Sequence, residues 1–99
     1  MTVRDRAISA IREHQAELES IGVVHAALFG SVARGEDRPD SDIDVMVDVD
    51  PATVRSIIAM GRIQARLERI MGCTVDVARR GALRSCVAVE AERDAVHAF

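Results

Sequence analysis

The segment Ser41-Asp42-Ile43-Asp44-Val45-Met46-Val47-Asp48-Val49 alternates with period two. Only a β-strand sends successive side chains to opposite faces. Ile43, Val45, Val47 and Val49 are therefore predicted to face a core, and Asp42, Asp44, Met46 and Asp48 to face away from it. A slip of one residue would bury the acids, so the register is pinned. The consequence is chemical. Asp42 and Asp44 are held about 6–7 Å apart along one face, where two carboxylates repel and each favours protonation unless a cation compensates. Oxygen donors suit Mg²⁺, and no Cys/His cluster competes for a softer metal. A solvated strand face is the alternative reading of the same acids.

The rest of the chain supplies a frame for that strand. Val3, Ala7, Ile8, Ile11, Leu18 and Ile21 recur at helical spacing, which predicts an amphipathic helix over 3–20 with Thr2 as N-cap and an end near Gly22. Val23–Phe29 reads as a buried strand. Asp50-Pro51 reads as a helix start, with an apolar stripe of Val54, Ile57, Met60, Ile63, Leu67 and Ile70 carrying the helix to about Met71, where Gly72 closes it. Residues 73–78 predict a third strand with Val75 and Val77 inward, and residues 82–95 an Ala-rich helix. That helix could pack on its own sheet or on a partner. The expected architecture is a single α/β (α+β) domain over residues 1–99, with a mixed sheet of about three strands and helices mainly on one face.

Composition removes several functions. The chain carries 13 Arg, no Lys and 16 acids, for a net charge of −3, a poor balance for broad nucleic-acid binding. Seven of those acids lie within 36–50 against Arg38 alone, a local charge of −6 that leaves +3 for the remainder. No apolar run approaches membrane-spanning length, and Met1–Arg6 has no signal-peptide core, so a cytoplasmic protein is expected. Cys73 and Cys86 read as small buried hydrophobes and His14, His25 and His97 as ordinary histidines. Arg79 and Arg80 form either a solvated face or a contact for an acidic partner. Without lysine no P-loop is possible, and an EF-hand starting at Asp40 fails with Val45 where its glycine belongs.

A phosphate site must then come from elsewhere. Gly30-Ser31, directly after the first predicted strand, offers a glycine that permits close backbone approach and a hydroxyl with its N–H. Arg34 adds a fixed charge suited to phosphate oxygens. Taken singly, Gly30-Ser31 reads equally as a plain turn and Arg34 as an ion-pair partner of the acidic loop. Asp76 supplies a third carboxylate if its strand lies beside Asp44, and three such groups can hold two metals roughly 3.5–4 Å apart.

Taken together, Gly30-Ser31-Val32-Ala33-Arg34-Gly35 and Ser41-Asp42-Ile43-Asp44-Val45, ten residues apart from Val32 to Ser41, resemble the signature of the DNA polymerase β-like nucleotidyltransferase superfamily. The GSxARG and SDIDV forms look most like the minimal nucleotidyltransferase antitoxins that pair with HEPN-domain toxins. The resemblance implies that Gly30, Ser31, Arg34 and Ser41 bind the nucleotide. It implies that Asp42, Asp44 and Asp76 are catalytic and hold two Mg²⁺ ions. AMP would pass from ATP to a hydroxyl, a tyrosine's in the antitoxin branch, on a HEPN-type toxin. The other readings are a non-catalytic module that neutralises its partner by occlusion, and the catalytic subunit of a two-component small-molecule nucleotidyltransferase. Little material remains for an acceptor pocket, and neither Trp nor Tyr is present to stack a base. Both deficits point to a partner, in a homo- or hetero-oligomer.

Overall fold

The computed structural model describes residues 2–36, 42–82 and 85–99, except for the side chains of 82 and 85–88. The period-two strand is β2 (Ile43–Val49). It pairs antiparallel with β1 (Val23–Phe29) and parallel with β3 (Val75–Arg79). A fourth strand, β4 (Val96–His97), pairs with Ala27 and Leu28 of β1, giving the mixed order β3-β2-β1-β4. The sheet thus has one strand more than expected. Two residues are too few to show an alternation, and β4 is held by tertiary contacts. Ala98 beside it is buried, and Arg12 Nε donates to the Ala98 carbonyl over 2.8 Å.

The main core lies on the predicted face of β2. Ile43, Val45 and Val47 pack with Ala26 and Leu28 of β1 and Val75 of β3. Ala7, Ile8 and Ile11 of α1 (Val3–Glu13), Leu18 of α2 (Gln15–Ser20), and Ile63 and Leu67 of α4 (Ile57–Met71) cover them. Each fully buried Leu or Ile is worth roughly 1.5–3 kcal/mol relative to exposure. Thr2 caps α1 as expected, in a reciprocal capping box with Asp5.

Three local expectations need correction. The helix over 3–20 breaks at His14 (φ −106°, ψ 18°), whose ring nitrogen lies 2.8 Å from the Ala10 carbonyl that its own N–H also reaches. A side chain competing for a helical carbonyl loosens that turn, and α2 restarts with Leu18 still on the core. Asp50 caps no long helix. Its carboxylate accepts from the Ala52 N–H at 2.9 Å and the Thr53 hydroxyl at 3.1 Å, closing a single turn, and Ser56 caps α4 through the Ala59 N–H. Ile57, part of the predicted apolar stripe, is consequently 90% exposed. Cys73 is exposed rather than buried, because it precedes β3 in the turn that follows Gly72. Cys86 lies outside the described side chains.

The opposite sheet face is only partly polar. Met46 is fully buried there with Ala27 and with Ala91 of α5 (Ser85–Asp94), flanked by Phe29 and Ala95. The Ala-rich helix therefore packs on its own sheet, and the small side chains of Ala91 and Ala95 permit that approach. Most helical cover remains on the first face.

Candidate active site

The site is assembled by strand register. Asp44 of β2 lies opposite Phe29, the last residue of β1, and opposite Asp76 of β3. Neighbouring strands are about 4.8 Å apart and paired residues share a face, so Asp44 and Asp76 form one row across the sheet. Asp42 stands two residues before Asp44, exposed, and Asp76 is exposed as well. The sequence left the adjacency of β2 and β3 open; the parallel pairing supplies it.

Gly30 and Ser31 open α3 (Gly30–Arg34), a short helix that follows β1 without a linker. Val32 and Ala33 are buried in the main core and anchor it, and the Arg4 guanidinium donates to the Ala33 carbonyl at 3.2 Å. Gly30 has φ +74°, where side chains are strained. A Cβ at this position would also collide with the Asp44 carboxylate. The glycine therefore serves a neighbouring acid as well as any ligand, a role the sequence did not disclose.

The acids affect one another. Burial raises the Asp44 carboxyl above the usual carboxylate range, and repulsion from Asp76 and then Asp42 adds to the rise, while Arg34 opposes it. Among the described residues no three His, Cys, Asp or Glu side chains converge on one point. Asp44 and Asp76 stand in register, with Asp42 two residues before Asp44. An all-oxygen donor set in which one member is desolvated and destabilised by its neighbours fits a hard divalent cation, with Asp42, Asp44 and Asp76 as the residues to hold it.

Arg34 lies near enough to oppose the rise at Asp44, and two of its three nitrogens are engaged by described residues. Nε pairs with Glu36 at 3.0 Å and Nη1 with Asp94 at 2.7 Å. Those bonds raise the guanidinium pKa further and keep it charged. The ion pair with the acidic loop, one of the two readings of Arg34, is thus present. Asp94 was not foreseen, since it lies 60 positions away and the end of α5 meets α3 only in the fold. Ser41 lies outside the described residues.

Known proteins resemble this chain in sequence and fold. The nucleotidyltransferase domain family profile matches residues 8–96. The chain is 33% identical over 90 residues to the protein adenylyltransferase MntA of Thermococcus cleftensis, covering 90% of this chain and 89% of that protein. A solved structure described as a candidate minimal nucleotidyltransferase superposes with a TM-score of 0.77 at 31% identity, covering 97% of this chain and 95% of the other. A toxin–antitoxin structure with AMP-PNP superposes with a TM-score of 0.68 at 19% identity, over 97% of this chain and 72% of that one, a likeness of fold.

Proposed function

The chain belongs to the nucleotidyltransferase domain family, and on that premise we propose that it is a Mg²⁺-dependent protein adenylyltransferase. In this reading it acts in the cytoplasm as one minimal domain. It transfers AMP from ATP to a hydroxyl, a tyrosine's by preference, of a HEPN-type toxin, and is the antitoxin of the pair. The observation that carries the proposal is the Asp44–Asp76 row, with Asp42 beside it and the Gly30-Ser31 turn at its edge. The adenylyltransferase relative supports the choice of AMP, and the toxin–antitoxin neighbour supports the choice of partner.

In this mechanism Gly30 and Ser31 hold the triphosphate through backbone N–H and hydroxyl. Arg34, charged throughout, faces its oxygens, and Ser41 adds a contact from the start of the acidic segment. Asp42, Asp44 and Asp76 are the metal-binding carboxylates. Two Mg²⁺ ions bound there would neutralise charge on both the attacking and the leaving oxygen. An Asp76 carboxylate oxygen accepts the hydroxyl proton. The hydroxyl oxygen bonds to the α-phosphorus, and the bond from that phosphorus to the pyrophosphate oxygen breaks in line. The products are AMP-modified partner and pyrophosphate.

The test uses α-labelled ATP, Mg²⁺ and the partner toxin, with Asp42→Asn and Asp44→Asn as controls. Label should reach the partner with the intact chain and fall at least 100-fold with either variant. Transfer indifferent to both substitutions would overturn the metal mechanism. Tight binding without any transfer would leave occlusion as the mode of neutralisation.

A further inference from the structure

The first turn of α4 carries two adjacent isoleucines almost wholly in solvent, Ile57 at 90% and Ile58 at 78% exposure. Single exposed apolar residues are ordinary; two neighbours beside a groove are not. Ile57 lines an open groove of about 410 Å³ whose floor is Val54 and Met60 and whose rims are Arg55 and Arg79. Arg62 stands four residues after Ile58 on α4, next to that isoleucine on the helix surface rather than on the groove. Arg55, Arg62 and Arg79 are all exposed.

The nearby charges do not cancel this border. Arg80 is spent on Asp48 at 3.5 Å and Glu92 at 3.2 Å. Asp50 is spent on its own turn, with the Ala52 N–H and the Thr53 hydroxyl. In a chain of net charge −3, three arginines around exposed isoleucines form a local patch of the opposite sign. The patch is also remote from the transfer site. Arg79 pairs in register with Val47, three positions along the strands from the Asp44–Asp76 pair, a separation on the order of 10 Å.

We infer that this face of α4 is a docking surface for a partner protein that presents an apolar anchor bordered by carboxylates, such as one face of an acidic amphipathic helix. Charge decides between the possible occupants. A second copy packed α4 against α4 would set Arg55 and Arg62 against their own duplicates, which costs rather than stabilises. A carboxylate-bordered helix instead buries both isoleucines and pairs with the arginines. The surface is separate from the transfer site and does not depend on the adenylyltransferase reading.

The test titrates ¹⁵N-labelled protein with two synthetic helical peptides that share one leucine stripe, flanked in one by Glu and in the other by Lys. The Glu peptide should shift the amides of residues 54–62 and Arg79 with at least tenfold higher affinity than the Lys peptide. Ile57→Glu with Ile58→Glu should abolish binding while leaving the melting temperature unchanged, since neither side chain packs inside the fold. Arg55→Glu with Arg62→Glu should reverse the preference toward the Lys peptide. Equal binding of both peptides, shifts confined elsewhere, or no binding would overturn the inference. So would self-association lost in the isoleucine variant. Binding to phosphatidylserine vesicles but to neither peptide would make the patch a membrane contact and overturn it as well.

Discussion

At residue scale, Asp44 and Gly30 are a matched pair, and each makes a prediction. Asp44 is raised by burial first and by its acidic neighbours second, so the folded state binds its proton more readily than the unfolded chain does. Its contribution to stability is then present at low pH and lost as pH rises through the raised value. Asp44→Asn should therefore melt higher than the wild type in the absence of metal. The difference should widen as pH climbs through the raised value and level off above it, read by thermal melts across pH; a wild type that melts as high as the variant at every pH would contradict it. Gly30→Ala meets two penalties, a left-handed φ of +74° and a Cβ directed at the Asp44 carboxylate. Its cost should be about 2 kcal/mol or more, visible in chemical denaturation. Of this pair, the sequence made both residues site candidates from the motif alone. That they touch follows from the strand register that sets Phe29 opposite Asp44, which no spacing encodes.

At the scale of elements, ion pairs tie parts of the fold together. Glu17 of α2 accepts from Arg66 at 2.5 Å and Arg69 at 2.6 Å of α4, and the Arg66 bond foremost holds its carboxyl below the usual range. The sign is opposite to that of Asp44. Glu17→Gln should lower the melting temperature at neutral pH, and the loss should vanish as pH falls through the lowered value. The Arg34–Asp94 bond links α3 to the end of α5, with Arg34 the more exposed partner. Such a pair is worth roughly 0–1 kcal/mol, so Asp94→Asn should barely move the melt. On the proposed adenylyltransferase reading it should instead change the KM for ATP more than kcat, since Arg34 loses a partner that orients it; an unchanged KM would mean Arg34 is held without Asp94. Apolar patterning was enough to mark the start of α1, and β1, β2 and β3 with nearly their observed bounds. It failed at the start of α4, where Val54 and Ile57 fit one stripe in sequence but Asp50 closes a separate turn between strand and helix. It failed again at His14, where a ring competes locally with the backbone.

At the scale of the molecule, charge is sorted. Residues 36–50 carry −6 and the remaining chain +3, and the strand that carries Asp44 and Asp48, with Asp42 just before it, is pinned in the sheet between β1 and β3. Adding Mg²⁺ should stabilise the wild type progressively, by about 2.7 kcal/mol at a hundredfold excess over Kd, while an equal ionic strength of NaCl does not. Asp42→Asn and Asp44→Asn should each remove most of that gain, as followed by differential scanning calorimetry; equal stabilisation by NaCl would reduce the effect to screening. Among the described residues no helix is long and apolar enough to cross a membrane. The sequence by itself determined the local order of elements and which face of β2 meets the core, because side-chain periodicity and backbone sterics act over a few residues. It also joined Gly30-Ser31 and the acids Asp42 and Asp44 into one motif by resemblance. Only the tertiary structure decided that β3 lies parallel to β2 so that Asp76 stands beside Asp44, that α5 covers Met46, and that Asp94 reaches Arg34. Those contacts join residues 30 to 60 positions apart, and their selection rests on the packing of the whole core rather than on any local preference.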